Sequence, residues 1–117
     1  MARKQVQMTQ EQYELYQILQ KEARKANRRL ALIEKNFGRD TWAGKRLRNR
    51  LESTKIQAYT KGGRVSVRKN MSTMQMKATL KAVRQFLNSK TSTVKGIRET
   101  RKQVIEKLKE SLRNGRS

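Results

Sequence analysis

The sequence predicts an all-α fold, a small bundle of about four helices. Three observations predict it. Apolar residues recur at spacings of three and four; two hydroxyl residues each have a glutamine three positions later; and glycines, not prolines, divide a chain that contains no proline. The expected organisation is a flexible basic N-terminus over 1–8, a single helical domain over 9–113 and a tail over 114–117. The helices lie near 9–37, 40–55, 72–88 and 93–113.

Thr9 and Gln12 have the capping-box spacing, in which each side chain satisfies a free backbone donor of the other, so the first helix starts there. Leu15, Leu19, Ala23, Ala26, Leu30, Ile33 and Phe37 then fall within an arc of about 80° at 100° per residue. Gly38 ends the helix. On the opposite side Lys21, Arg24, Lys25, Arg28, Arg29 and Lys35 form a cationic strip. Asp40 is the expected N-cap of the second helix, whose stripe is Ala43, Leu47, Leu51 and Thr54, extended weakly by Ala58. Lys45, Arg46, Arg48 and Arg50 surround that stripe.

Between 56 and 68 the pattern shortens to alternation around Gly62-Gly63, the turn signal of a β-hairpin. An isolated two-stranded hairpin is marginal in water, so a disordered basic loop is an equal alternative there. Ser72 and Gln75 repeat the capping box and open the third helix, with Met76, Leu80, Val83 and Leu87 inward and Lys77, Lys81 and Arg84 along one edge. Thr93 caps the fourth helix, whose apolar side is Val94, Ile97, Val104, Leu108 and Leu112. Its glutamates make it the most charge-balanced helix, facing solvent or another helix.

Charge narrows the function. Thirty Lys and Arg against nine Asp and Glu give a formal +21 on 117 residues, a surface that must find a polyanion or repel itself. There is no His and no Cys, which excludes Cys/His zinc sites, disulfides, Ser-His-Asp triads and Cys nucleophiles. The close acidic pairs, Glu11 with Glu14 and Glu106 with Glu110, lie on lysine-rich helices and do not resemble a metal or acid–base site. Ser89, Thr91, Ser92 and Thr93 stand beside Lys90 and Lys95, where helix capping explains them more simply than nucleophilic chemistry. The expectation is a binding protein, not an enzyme, with no cofactor.

No acid occurs between Glu52 and Glu99, while eleven Lys and Arg do; with nothing nearby in sequence to pair with, this run is the expected centre of contact with an external anion. The candidate nucleic-acid-binding residues are Arg24, Lys25, Arg28, Arg29, Lys45, Arg46, Arg48, Arg50, Lys61, Arg64, Arg68, Lys69, Lys77, Lys81, Arg84, Lys90 and Lys95. Phosphate contact is the expected mode, because no helix-turn-helix or zinc-finger pattern is present to read bases. Tyr13, Tyr16, Trp42 and Tyr59 are assigned to burial in preference to base stacking, with Trp42 plugging the junction at Phe37. Met71, Met74 and Met76 read as gap-fillers. The N-terminus lacks an apolar signal-peptide core and no stretch is long enough to span a membrane, so the expected location is the cytoplasm or a virion.

Two stretches carry a resemblance. Glu22-Ala23-Arg24-Lys25-Ala26-Asn27-Arg28-Arg29-Leu30-Ala31-Leu32-Ile33-Glu34-Lys35-Asn36-Phe37-Gly38 resembles the basic helix near the start of terminal proteins from small protein-primed podophages. Arg84-Gln85-Phe86-Leu87-Asn88-Ser89-Lys90-Thr91-Ser92-Thr93-Val94-Lys95-Gly96-Ile97 resembles an element of small basic proteins of phages infecting Gram-positive bacteria. Together they cover about a quarter of the chain. The resemblance implies sequence-independent binding to phage DNA, with DNA favoured over RNA, and partners such as a phage polymerase or capsid protein. It also implies a priming Ser, Thr or Tyr, but the chain is much shorter than that family and shows no separate priming domain, so no priming residue is assigned. The alternatives are a protein primer of phage replication, a protein that docks on an acidic host or phage protein and inhibits a nucleic-acid enzyme, and an RNA-associated protein.

Overall fold

The structure, a computed structural model, describes residues 8–39, 41–53, 58–60 and 62–115. It is all-α, with helices α1 (Gln10–Phe37), α2 (Trp42–Ser53), α3 (Thr73–Leu87) and α4 (Val94–Asn114), and a short 3-10 turn at Lys90–Ser92. Both capping boxes form. Thr9 Oγ1 accepts from Gln12 N at 3.1 Å while Gln12 Oε1 accepts from Thr9 N at 3.1 Å, and Ser72 and Gln75 make the same exchange at 3.1 and 2.9 Å. Gly38 closes α1 with φ +87°, a conformation that favours a residue without Cβ.

The core joins the inner faces of α1, α2 and α3. Leu19, Ile33, Leu47, Leu51, Met76 and Val83 are fully buried, and Leu15 and Phe37 pack half-buried at the edge of the same cluster. Tyr16, Thr79, Ala82 and Phe86 widen the buried faces beyond the expected stripes. Met8 also packs against the cluster; the rest of the expected flexible N-terminus and the end of the tail lie outside the described residues. Helices α1 and α3 run in the same direction. Lys77 Nζ stands 3.7 Å from Glu11 at their N-terminal ends, and Arg29 reaches the Leu87 carbonyl at the end of α3.

Of the expected hairpin, 56, 57 and 61 lie outside the described residues; among the described ones a single antiparallel bridged pair forms, Tyr59 with Val65, around a turn in which Gly63 N donates to Thr60 O at 3.0 Å and Gly63 has φ +78°. A side chain stabilises it. Asn27 on α1 donates from Nδ2 to Val65 O at 3.1 Å and accepts from Val65 N at Oδ1 at 2.7 Å, the two bonds an antiparallel strand would supply. Ala58 and Val65 are buried beneath this segment. The loop is therefore docked on α1.

The start of α2 corrects two further expectations. Asp40 lies outside the described residues, and Thr41 takes the capping position of α2, its Oγ1 accepting from Gly44 N at 3.4 Å and its carbonyl from Lys45 N at 3.1 Å. Trp42 does not plug the junction: it is 60% exposed, with the Arg46 guanidinium 5.0 Å from its ring centroid. Phe37 is instead covered by Arg101, 4.5 Å from its ring. The apolar side of α4 is buried only at Ile97; every described residue from 101 onward is exposed, because α4 outruns the end of α1. The molecule is accordingly long, 75 × 25 × 21 Å.

Candidate nucleic-acid interface

The cations of this protein divide into those the fold uses and those it leaves to solvent. Arg29 belongs to the first group: its Nη1 donates to Leu87 O at 2.9 Å and to Ser92 Oγ at 2.8 Å. It thereby satisfies one of the last carbonyls of α3, which a helix end leaves without an internal partner. Arg64 belongs there too. Its guanidinium makes a two-pronged pair with Glu34, Nη1 to Oε1 and Nη2 to Oε2, both at 2.9 Å and both side chains about three-quarters covered. The acid-free run thus does find internal partners, through tertiary structure: Glu34 is thirty residues from Arg64, and Glu11 faces Lys77.

Glu34 collects more than one arginine. The Arg64 hydrogen bond holds its carboxyl below the ordinary value of 4.5, with burial opposing and the charges of Arg64, Arg39 and Arg48 assisting. Arg48 also packs close over Gly63, where a Cβ would lie 2.8 Å from its Nη2. Because the folded pKa is depressed, the pair stabilises the protein above the unfolded pKa and loses that contribution as pH falls through the folded value. Glu34→Gln is therefore expected to destabilise by about 1–2 kcal/mol at neutral pH, a typical figure for a charge-assisted bidentate pair. Urea titrations of both proteins from pH 7 down to about 3 are expected to show this difference shrinking below about pH 4.5. A difference independent of pH would exclude the ion pair as its source.

Two surfaces each gather several solvent-facing cations. On the outer face of α1, Lys21, Arg24 and Arg28 surround an open depression that Asn27 also lines, with Lys25 exposed beside them. Two adjoining troughs flank α3. One, of about 380 Å³, is lined by Lys77, Lys81, Arg84, Gln85 and Asn88; the other, of about 350 Å³, lies between α2 and α3 and brings Arg50 and Ser53 to Lys81 and Gln85. Sharing Lys81 and Gln85, the two form one cationic groove. The α3 edge was legible as a spacing of four and then three. Its meeting with Arg50 was not, since 31 residues separate Arg50 from Lys81 and only the packing of α2 on α3 joins them.

Of the other candidates, Lys45, Arg46, Arg48, Arg68, Lys69, Lys90 and Lys95 are exposed, and Lys61 lies outside the described residues. Lys21, already part of the cationic strip, proves to be a lining residue, while sequence reasoning missed Arg39 as a neighbour of Glu34. Among the described residues, no three His, Cys, Asp or Glu side chains converge to hold a metal ion, and no helix is long and apolar enough to cross a membrane. The hydroxyls of 89–93 act as caps: Ser89 Oγ accepts from Thr91 N at 3.3 Å, Thr93 Oγ1 accepts from Gly96 N at 3.0 Å, and buried Ser92 donates to Ser89 O at 2.9 Å. Comparison of the chain with protein families, with curated proteins and with solved structures returns no match, so the functional reading rests on geometry and charge.

Proposed function

We propose that the protein binds nucleic acid, DNA in preference to RNA, through its phosphates and without reading sequence. The observation that carries this reading is the cationic groove along α3. Arg50, Lys77, Lys81 and Arg84 line its troughs, and the groove contains no carboxylate. Among the described residues the acid paired with a groove cation is Glu11, with Lys77, at 3.7 Å and in an exposed setting where such pairs are worth little. A row of cations on a rigid helix edge follows a phosphate backbone, and the glutamine and asparagine between them add neutral donors. The outer face of α1 supplies a second row. From the resemblance to phage proteins we infer a role in genome replication, organisation or packaging. Counterion release is the driving force: if about 6–8 cations meet phosphates of a duplex, the log–log dependence of affinity on salt has a slope of about −5 to −7. Fluorescence anisotropy with random-sequence duplex DNA at a series of salt concentrations measures it. A flat response, or marked preference for one sequence, would sink the proposal.

A further inference from the structure

Beyond Arg101, which covers Phe37, the outer half of α4 is not buried in the core and lines neither trough of the groove. Its residues from 101 to 115 are all exposed, yet Val104, Ile105, Leu108 and Leu112 lie on one side within about 100°, and Leu108 and Leu112 are 59% and 68% exposed. A helical segment of this length with nothing packed on it is marginal in water, and its apolar stripe is the element a partner would stabilise. Ile97 continues the stripe into the bundle. At that end a cleft of about 160 Å³ is lined by Thr41, Trp42, Ala43, Ile97, Thr100 and Arg101, so the arm and the bundle form two walls of an open corner with the exposed indole in it.

Charge and shape select the occupant. On the helical wheel Arg98, Arg101, Lys107 and Lys109 border or interrupt the stripe, whereas Glu99, Glu106 and Glu110 all lie within about 30° of the opposite direction. A second copy of the chain would set these cations against their own kind. A flat bilayer pressed on the stripe would meet the bundle, which stands on the same side as buried Ile97. Nucleic acid offers nothing to four aliphatic side chains. We propose that this corner docks an amphipathic helix of another protein, with an aliphatic face bordered by Asp and Glu.

The test uses the full chain and three synthetic 21-residue peptides. One carries Leu at the a and d positions and Glu at e and g, the second replaces its Leu by Ser, and the third replaces its Glu by Lys. Trp42, the sole tryptophan, reports occupancy of the corner by its emission. The expected result is saturable binding and a blue shift with the first peptide only, weakened at least tenfold by Leu108→Gln with Leu112→Gln. Both positions are exposed, so that variant keeps the wild-type thermal midpoint and the same salt slope on duplex DNA. Equal binding of the Ser or Lys peptide overturns the proposal, as does no binding. So does tighter binding to phosphatidylglycerol vesicles than to the first peptide, or dimerisation of the free chain abolished by the double variant.

Discussion

Gly96→Ala is expected to lower the thermal midpoint by about 8–12 °C, corresponding to roughly 2 kcal/mol or more in a domain of this size. A Cβ at this position would overlap the Lys90 carbonyl oxygen and lie 2.7 Å from the carbonyl carbon, with Thr93 Oγ1 at 3.0 Å. Two of these three atoms are backbone, so no side chain can swing aside. The first turn of α4 rests directly on the 3-10 turn at 90–92, which in turn is tied to Arg29 and the end of α3 through Ser92. Alanine returns about 0.5–1 kcal/mol through its better helix propensity, which is smaller than the cost of forcing the two turns apart. Gly62→Ala is the control: its Cβ would meet only Thr60 Oγ1 at 3.9 Å, and it is expected to melt as the wild type does. Calorimetry of the two variants decides. Coincident midpoints would show that α4 and the 3-10 turn separate freely.

Neutralising the groove is expected to affect binding as strongly as Gly96→Ala affects folding. The variant Arg50→Gln, Lys77→Gln, Lys81→Gln, Arg84→Gln should lose about a hundredfold in affinity for random duplex DNA at low salt, at about 0.7 kcal/mol for each contact. Each phosphate contact removed takes about 0.9 from the magnitude of the salt slope, so the four together should bring it to about −2 to −3. Lys77, Lys81 and Arg84 are exposed, and the ion pair lost among the described residues, Lys77 with Glu11, is long and exposed, so the thermal midpoint should hold. A slope unchanged by the four substitutions would move the binding surface elsewhere, first to the outer face of α1, where Lys21, Arg24 and Arg28 offer the parallel test.

The helices were legible because their information is local. Capping boxes exchange bonds across three residues, and a stripe such as Leu19, Ala23, Ala26, Leu30 and Ile33 repeats with the helical turn. The loop over 58–65 was half legible. Gly62-Gly63 announced a turn, but nothing local shows that Asn27, 38 residues away, supplies the missing strand bonds. For the fourth helix, solvent and another helix both stayed open for a physical reason: Val104, Leu108 and Leu112 have the spacing of a buried face, and periodicity records that a face is apolar without recording whether anything covers it. Trp42 did mislead, since the scarcity of aromatics argues for burial while Arg46 covers only one side of the ring.

The candidate interface shows the same division. That the chain carries +21, and that Lys77, Lys81 and Arg84 share an edge, follow from composition and spacing alone. Which arginines are free does not. Arg24 and Arg29 stand on one basic helix and are indistinguishable in sequence, but Arg29 is turned toward the end of α3 while Arg24 faces solvent. Likewise Arg64 is withdrawn by Glu34, and Arg50 is brought to Lys81 only when α2 packs on α3. The sequence by itself determined the helices, their inner faces and the sign and size of the charge, because each is a property of neighbours along the chain. The tertiary structure alone decided which cations the fold consumes and which remain to form a groove, because an arginine's partner is chosen by distance in space.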